Sequence, residues 1–430
     1  MKLIGLMILL TPLWWLLGLK PIIIQLSLLL LFIFYNKNIF NVQLSKESIS
    51  LFVIVLIYCI SVLININNIP LDRLIGTIYN LSIWLCGFLL IVFITNVRSK
   101  KNVILVSRSI IFITCLSCLI GVVGLVLFYF GTNNFSIISP LLSIFPSDIV
   151  SRSEILKSSS QILFVRPDFT FLGKLPRSAG FFEYPNALAL SIIISLPLVF
   201  DKDVIKSRII KYLILSLLVF GIFITSSRTV IAGYSIIYIF TYLLFQYYHN
   251  PRNSIKKILI IMCTIIVSYV VYYFIESFIT LLQSFRVGST NSRIDLMRNS
   301  IIVFINEANI LTGLGYKIRS QFMNEYPIGS HSTLIGMLVK TGIIGLIATL
   351  SSWALIINRC NKYLKLIAKK RTSNSNILLV VSIVTTIFWQ LFEDIDAPVL
   401  AAFTYFFIIG YLINKYREIR QLINFKMLPL

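Results

Sequence analysis

The chain has 430 residues, of which 57% are hydrophobic and 13% are charged, and its mean hydropathy is +0.90. Soluble globular domains carry about 25% charged residues, so the composition excludes an ordinary soluble protein and predicts a polytopic membrane protein. The net charge of +22 would suit a nucleic-acid partner, but the basic residues concentrate in short loops between apolar runs. That pattern predicts a topogenic signal and an attraction to membrane lipids, with no nucleic acid.

The apolar runs are long enough to span a bilayer, which takes about 20 helical residues. They predict an all-α polytopic membrane protein of about twelve helices, forming a single membrane domain over residues 1–430. The predicted helices lie near residues 3–19, 21–35, 49–65, 78–95, 107–130, 186–200, 209–225, 229–247, 257–281, 333–357, 376–392 and 397–414. The run at 186–200 is short and follows Pro185, which indicates a helix that is tilted or partly re-entrant.

Loops that are rich in Lys and Arg alternate with loops that are poor in them along the chain. With the N-terminus inside, the basic loops near 98–101, 202–208, 252–257 and 359–371 all lie inside. This bias predicts an even number of spans with both termini in the cytoplasm. It also places two long loops outside, at about 131–184 and 283–331, and loops of that length are usually functional or disordered.

The second outer loop contains a predicted amphipathic helix. Ser292 and Asp295 match a capping box at its start. Apolar residues then recur at helical spacing, namely Ile294, Met297, Ile301 and Phe304. Such a helix lies on the outer membrane surface or over a cavity, and a helix that only plugs the fold explains the pattern equally well. Arg293 would occupy its first turn, where the helix dipole opposes a cation, so a compensating partner is expected.

Two basic residues stand where the topology alone gives no reason for them. Arg228 ends a very short outer turn, and its guanidinium suits phosphate, although an arginine that snorkels to lipid headgroups is the alternative. His331 begins a long apolar helix, whose N-terminus favours an anion, and histidine can accept a proton near neutrality. The alternative is that Ser330 caps this helix and His331 takes no part.

The remaining candidates have weaker patterns. Gly313 and Gly315 either bring backbone close to a ligand or form a plain turn. Lys340 lies well inside a predicted helix, where a lysine needs a use or a partner. The tightest acidic cluster in the outer loops comprises Glu393, Asp394 and Asp396. It either binds a cation, orients an acceptor or pairs with an outer arginine, and the pairing is the preferred interpretation.

Four segments, taken in chain order, resemble the O-antigen ligase and polymerase superfamily of WaaL-like and Wzy-like membrane glycosyltransferases. They are R-S-A-G-F-F-E-Y-P-N-A-L-A from Arg177, which includes Asn186; S-S-R-T around Arg228; S-R-I-D-L-M-R around Arg293 with G-L-G downstream; and H-S-T-L-I-G-M-L-V-K-T-G-I-I-G-L from His331. The resemblance covers about residues 177–350. The chain departs from it at Met297, where the family often has an aromatic residue, and at 309–310, where it often has a proline.

The resemblance implies a GT-C-like inverting transferase without metal or cofactor, on the outer face of the bacterial cytoplasmic membrane. Its donor would be an undecaprenyl-pyrophosphate oligosaccharide. Arg177, Arg228 and Arg293 would bind the pyrophosphate, and His331 would position or deprotonate the acceptor hydroxyl. We expect a polymerase that joins lipid-linked glycans, whose chain length a partner protein would control. A ligase that moves the glycan onto lipid A–core or another acceptor stays open, and a lipid-linked sugar flippase is a more distant alternative.

Overall fold

The structure is a computed structural model that describes residues 1–34, 42–97, 99–144, 160–170, 173–249, 287–318, 327–370 and 375–426. Helices dominate it. They are α1 (Lys2–Leu9), α2 (Thr11–Leu16), α3 (Ile23–Phe34), α4 (Lys46–Asn65), α5 (Leu71–Asn96), α6 (Lys100–Tyr129), α7 (Pro185–Phe200), α8 (Arg208–Thr225), α9 (Arg228–His249), α10 (Val287–Glu307), α11 (Thr333–Lys370), α12 (Ser375–Trp389) and α13 (Val399–Lys426), with 3-10 turns at Ile66–Asn68 and Leu142–Ile144.

Seven of the described helices are long and apolar enough to cross a membrane. These are α4 with its 3-10 turn, α5, α6, α8, α9, α11 and α13. Helices α3, α7 and α12 are apolar but shorter. The predicted class of a polytopic, mainly helical membrane protein is therefore confirmed. The predicted helix at 257–281 lies outside the described residues, so the total of twelve stays a prediction.

The first predicted helix, 3–19, is wrong because the structure breaks it at Leu10 into α1 and α2. Pro12 lies in the first turn of α2, where a missing backbone N–H is tolerated, whereas inside a continuous helix it would remove a hydrogen bond. The following turn contains Lys20, which is buried, and leads into α3.

The described residues of the first long loop add a small sheet, which the sequence did not predict, to the helical bundle. The sheet is antiparallel and contains β1 (Phe135–Ile138), β2 (Gln161–Thr170) and β3 (Gly173–Arg177), in that order. Arg166 pairs with Arg177 at the end of β3. The sheet packs on α6 at Gly124, where a Cβ would lie 1.9 Å from the Phe164 carbonyl oxygen, so only glycine allows this contact.

Helix α7 is the centre of the bundle. Leu188, Leu190 and Ile194 are fully buried, and the helix packs against α6, α8, α12 and α13. A helix that is apolar on all sides is one that other protein elements surround. This accounts for its length of 16 residues, which a helix enclosed by protein tolerates more readily than one exposed to lipid.

Helix α11 is interrupted at Gly342, whose φ of 67° and ψ of −165° are not helical. The segment 310–315 fills the interruption: the Gly315 N–H donates to the Lys340 carbonyl (2.8 Å), and the Ile343 N–H donates to the Ile310 carbonyl (2.9 Å). The Ser61 hydroxyl of α4 also donates to the Lys340 carbonyl, at 2.6 Å. Broken helices are tolerated at membrane depth where protein satisfies the freed backbone groups in this way.

Candidate functional site

Five connecting segments meet at one end of the bundle, which we call the site end. They are the segment 177–186, the turn at 225–228, the segment 308–318, the segment 327–332 and the segment 390–398. All of them belong to loops that the charge pattern predicts to lie outside. The site end therefore brings together residues that are more than 200 positions apart in the chain, such as Asn186 and Glu393.

Glu393 is the centre of a polar network at the site end. Its Oε1 accepts hydrogen bonds from Arg293 Nη2 (2.7 Å) and from Asn186 Nδ2 (2.5 Å). Its Oε2 lies 3.7 Å from His331 Nδ1. Glu393 is only 4% exposed, so this carboxylate is a buried charge that needs these partners.

Arg177 extends the network toward the turn between α8 and α9. Its Nη2 donates to Asn186 Oδ1 (2.9 Å), and its Nε donates to the Thr225 carbonyl oxygen (2.8 Å). Asn186 thereby links Arg177 to Glu393. The sequence analysis marked Asn186 only as part of the motif from Arg177, and the structure gives it this bridging position.

Arg228 is exposed and is the first residue of α9. It follows Ser226, which has a positive φ of 48°, and it comes three residues after Thr225, the residue that accepts from Arg177. The only other positive-φ residue besides glycine in the described part of the chain is His331, at 67°. Side chains pay a steric cost for this conformation, and such strain gathers at functional sites.

His331 lies two residues before the first residue of α11, close to the helix start that the sequence predicts. The interpretation that Ser330 caps the helix is wrong, because the Ser332 hydroxyl accepts from the Ile335 N–H (3.4 Å). Thr333 fixes the start of α11 by donating to the Glu393 carbonyl (3.0 Å) and accepting from the Ile395 N–H (3.0 Å). The helix start that positions His331 is thus tied to the loop that carries Glu393.

The cations around Glu393 keep it ionised. Burial alone raises the pKa of a carboxyl group, but the charge of Arg293 and the interactions with His331 and Asn186 outweigh it and lower the pKa of Glu393 to about 2. The pKa of Tyr184, the residue before α7, is shifted upward instead. Burial first, and then the negative charges of Glu393 and Glu183, raise the pKa of its phenol well above the usual value.

Arg293 does not occupy a first helical turn. Helix α10 begins at Val287, five residues before Ser292, so the predicted capping box is wrong and Arg293 lies further inside the helix. Of the predicted apolar face, Phe304 is buried, but Ile294 and Ile301 are exposed, and Leu296 and Ser300 are buried in their place. The compensation that the sequence called for is present, because Arg293 forms an ion pair with Glu393.

Beside Glu393 lies a buried lysine–aspartate cluster of Lys317, Lys340, Asp394 and Asp396. Lys317 Nζ contacts Asp394 Oδ2 and lies 3.0 Å from Asp396 Oδ1, and Lys340 Nζ contacts Asp396 Oδ2. Lys340 and Asp396 are fully buried. Within the acidic cluster, Glu393 thus pairs with an arginine, which is the interpretation preferred from the sequence, whereas Asp394 and Asp396 pair with lysines. In the described part of the chain, no group of three or more His, Cys, Asp or Glu side chains is placed to hold a metal ion.

The pKa values in this cluster follow the burial and the pairing. Burial lowers the pKa of Lys317, but the charges of Asp394 and Asp396 more than reverse this and raise it. Burial and the charge of Asp396 raise the pKa of Asp394. Burial also opposes ionisation of Asp396, yet Lys317 and Lys340 lower its pKa. The cluster is therefore close to neutral as a whole, and the excess positive charge at the site end belongs to the arginines.

Gly313 and Gly315 contact protein backbone. A Cβ on Gly313 would lie 2.6 Å from the backbone of Lys340, Thr341 and Gly342. Both glycines have positive φ values. They let the segment after α10 enter the interruption in α11, so the close approach is to protein backbone, which neither alternative from the sequence, a ligand contact or a plain turn, anticipated.

Several residues of the site end were not predicted. Trp84 Nε1 donates to Asp396 Oδ2 (3.2 Å), and Lys340 Nζ lies 5.2 Å from the centre of the Tyr58 ring. Both aromatic residues lie in apolar helices and give no signal of their own. Glu183 is different, because it is the only acidic residue in the motif from Arg177. It is buried and accepts from the backbone N–H groups of Val399 and Leu400.

One comparison with known proteins finds a match in part of the chain. Residues 213–350 match the family model described as O-Antigen ligase. This range contains Arg228, Arg293 and His331, whereas Arg177, Asn186 and Glu393 lie outside it. No curated protein matches the chain. This match over residues 213–350 supports the resemblance to the O-antigen ligase/polymerase superfamily that the motifs of the sequence indicated.

Proposed function

We propose that this protein is a glycosyltransferase that moves an oligosaccharide from undecaprenyl pyrophosphate onto a sugar hydroxyl of another lipid-linked glycan, as a surface-polysaccharide polymerase does. The observation that carries the proposal is the network in which Arg177, Arg293 and His331 converge on Asn186 and Glu393. It would act on the outer face of a bacterial cytoplasmic membrane, where the lipid-linked donor and acceptor meet.

The arginines serve the leaving group. When the sugar–phosphate bond breaks, negative charge grows on the pyrophosphate, and fixed cations in a site of low dielectric stabilise that charge. Arg228 is exposed and lies beside the turn that Arg177 contacts, which supports a role in meeting the pyrophosphate first. Arg293 and Arg177 are only partly exposed and would hold it in one orientation through guanidinium pairs. No metal is required in this scheme.

His331 serves the acceptor. The acceptor hydroxyl oxygen forms a bond to the anomeric carbon as the bond from that carbon to the pyrophosphate oxygen breaks, and the hydroxyl proton passes to His331 and then to water. Inversion at the anomeric carbon follows from this single displacement. Glu393 lies on the Nδ1 side of His331. It orients the imidazole and stabilises the imidazolium that forms, while Nε2 takes the proton.

A ligase is the second candidate, and the description of the matching family as O-Antigen ligase favours it. The two reactions share the donor and the chemistry, and they differ in the acceptor. A polymerase uses another lipid-linked glycan, whereas a ligase uses lipid A–core or a different acceptor. In the polymerase, a partner protein would control the chain length.

The experiment is to incubate the purified protein with its undecaprenyl-pyrophosphate oligosaccharide alone and to resolve the products by size. A ladder that Arg228→Ala and His331→Ala abolish, and that Arg298→Ala retains, supports the polymerase. Arg298 is the matched control because it is an exposed arginine of α10. Products that form only after lipid A–core is added indicate the ligase. Movement of the lipid across vesicles without any transfer would refute both and indicate a flippase.

A further inference from the structure

Glu183 is a buried carboxylate of the segment 177–186 that the proposed mechanism does not use. It is only 5% exposed and lies three residues before Asn186, which bridges Arg177 and Glu393. A carboxylate that is removed from water is costly unless cations or N–H groups compensate its charge. The partners of Glu183 therefore indicate what a charge at this position does.

The start of α13 supplies the first partners of this carboxylate. Glu183 accepts hydrogen bonds from the backbone N–H groups of Val399 and Leu400, the first two residues of that helix. The first N–H groups of a helix have no partner within it, and the positive end of the helix dipole favours an anion there. Because α13 directly follows the segment that carries Glu393, Glu183 joins that segment to its own.

Lys20 supplies the opposite charge. It lies buried in the turn between α2 and α3, and its Nζ has no hydrogen-bond partner among the described residues. Trp15 of α2 packs edge-to-face on Phe181, with ring centroids 6.4 Å apart, which holds the neighbourhood of this turn against the segment 177–186.

The two charges depend on each other. Burial lowers the pKa of Lys20 to about 8, and Glu183 is the only charged group of the described residues that opposes this shift. Burial likewise raises the pKa of Glu183, and the charge of Lys20 opposes that shift first, followed by the backbone N–H groups. A change in the protonation of either side chain therefore affects the other.

We propose that Glu183 is a positioning residue of the transfer reaction, and that protonated Lys20 keeps it in the ionised form that this role requires. The inference rests on the proposed function. Glu183 is buried and acts through the two segments that it joins, one with Asn186 and the other with Glu393. When Lys20 loses its proton, the carboxylate loses its counter-charge and holds the start of α13 less firmly. Glu393 then no longer keeps His331 in place.

The test is the pH dependence of kcat between about pH 6 and about pH 10, with the purified protein and saturating undecaprenyl-pyrophosphate oligosaccharide. The wild-type kcat should fall about tenfold above about pH 8. The alkaline limb of kcat reports an acid that must stay protonated in the bound complex, and small displacements of reacting groups cost about this much or more. Lys20→Arg should keep the wild-type kcat at neutral pH and remove the alkaline fall, because a guanidinium does not lose its proton.

Two further variants remove one charge each. Lys20→Met and Glu183→Gln should have a kcat about tenfold lower at neutral pH and no further fall above about pH 8, with the KM for the donor within about twofold of the wild type. If Lys20→Met does not fold, as judged by its melting temperature, the comparison of Lys20→Arg with the wild type still decides.

Lys2→Met is the matched control, because Lys2 is an exposed lysine of α1 in the same N-terminal part of the chain. It should keep the wild-type pH profile. An alkaline fall that persists in Lys20→Arg, or a wild-type kcat in Glu183→Gln, would overturn the positioning role while the transferase function stands. If the wild-type protein consumes no donor at any pH, the proposed function fails and the positioning role fails with it.

Discussion

Replacing Glu393 by glutamine tests the centre of the network, because it keeps the shape of the side chain and removes its charge. The pKa of Glu393 is about 2 against an ordinary value of 4.5. At about 1.4 kcal/mol per unit of pKa, the partners stabilise the ionised form by about 3 kcal/mol. The side chain of Arg293 is 26% exposed and can turn toward solvent in the variant. The loss of folding free energy at neutral pH should therefore approach about 3 kcal/mol and not exceed it.

The assay is the free energy of unfolding of the detergent-purified protein as a function of pH. A carboxyl whose pKa is lowered by folding stabilises the protein above its unfolded pKa, and this contribution is lost as the pH falls through its folded pKa. The difference between the wild type and Glu393→Gln should therefore be about 3 kcal/mol at pH 7 and shrink to about 1 kcal/mol at pH 3. Arg298→Gln, at an exposed position of the same helix as Arg293, should stay within about 0.5 kcal/mol of the wild type.

A double-mutant cycle assigns the effect to the pair. Glu393→Gln and Arg293→Gln should each destabilise the protein, and the double variant should lose clearly less than the sum of the two. A difference between the wild type and Glu393→Gln that does not change between pH 7 and pH 3 would refute the reasoning. So would additive effects of the two substitutions.

Three further predictions concern the surroundings of the network. Lys340→Met removes one of the two lysines that pair with the buried Asp396 and leaves it with Lys317; it should lower the unfolding free energy by about 3 kcal/mol, the lower end for a broken buried pair, whereas the double variant Lys340→Met/Asp396→Leu should recover much of it. A single variant as stable as the wild type would contradict this. Gly342→Ala should reduce the yield of folded protein, because φ is positive and the new Cβ would lie 2.3 Å from the Leu311 carbonyl oxygen; a normal melting temperature would count against it. Arg177→Lys cannot make both hydrogen bonds to Asn186 and Thr225, so the rate of glycan transfer should fall about 10-fold to 100-fold at an unchanged melting temperature, and a wild-type rate would show that the fork geometry is not needed.

The cationic residues of the site end could be predicted from the sequence, because the signal that marks them lies in their immediate sequence neighbours. Arg228 and His331 stand out in apolar surroundings, and polar groups at membrane boundaries are costly unless they have a partner or a use. The sequence also predicted in part that Arg293 is paired, since it indicated that a negatively charged or polar partner should compensate the charge of Arg293. Which group it is could not be predicted, because Glu393 is 100 residues away and three carboxylates of one short segment were available.

The sequence erred where local patterns compete with tertiary contacts. Ser292 and Asp295 have the spacing of a capping box, yet α10 starts earlier, at Val287, because a residue that can cap a helix can also lie within one when the chain before it is helical. The strands of residues 135–177 were missed in a loop without a clear alternation of polar and apolar residues. Their pairing depends on contacts with α6, through Gly124 and the Phe164 carbonyl, and no local pattern reports such a contact.

The sequence by itself predicted a membrane protein, most of its long apolar helices, the resemblance of residues 213–350 to the matching family and the cationic residues of the site end. Hydrophobic length, charge bias and motif spacing are properties of neighbouring residues, so they can be read along the chain. Only the tertiary structure decided that Gly342 interrupts α11, that Lys340 is neutralised by Asp396, and that Glu393 gathers Arg293, Asn186 and His331. A buried charge takes whichever partner the fold brings within a few ångströms, and that partner is set by the packing of the whole bundle.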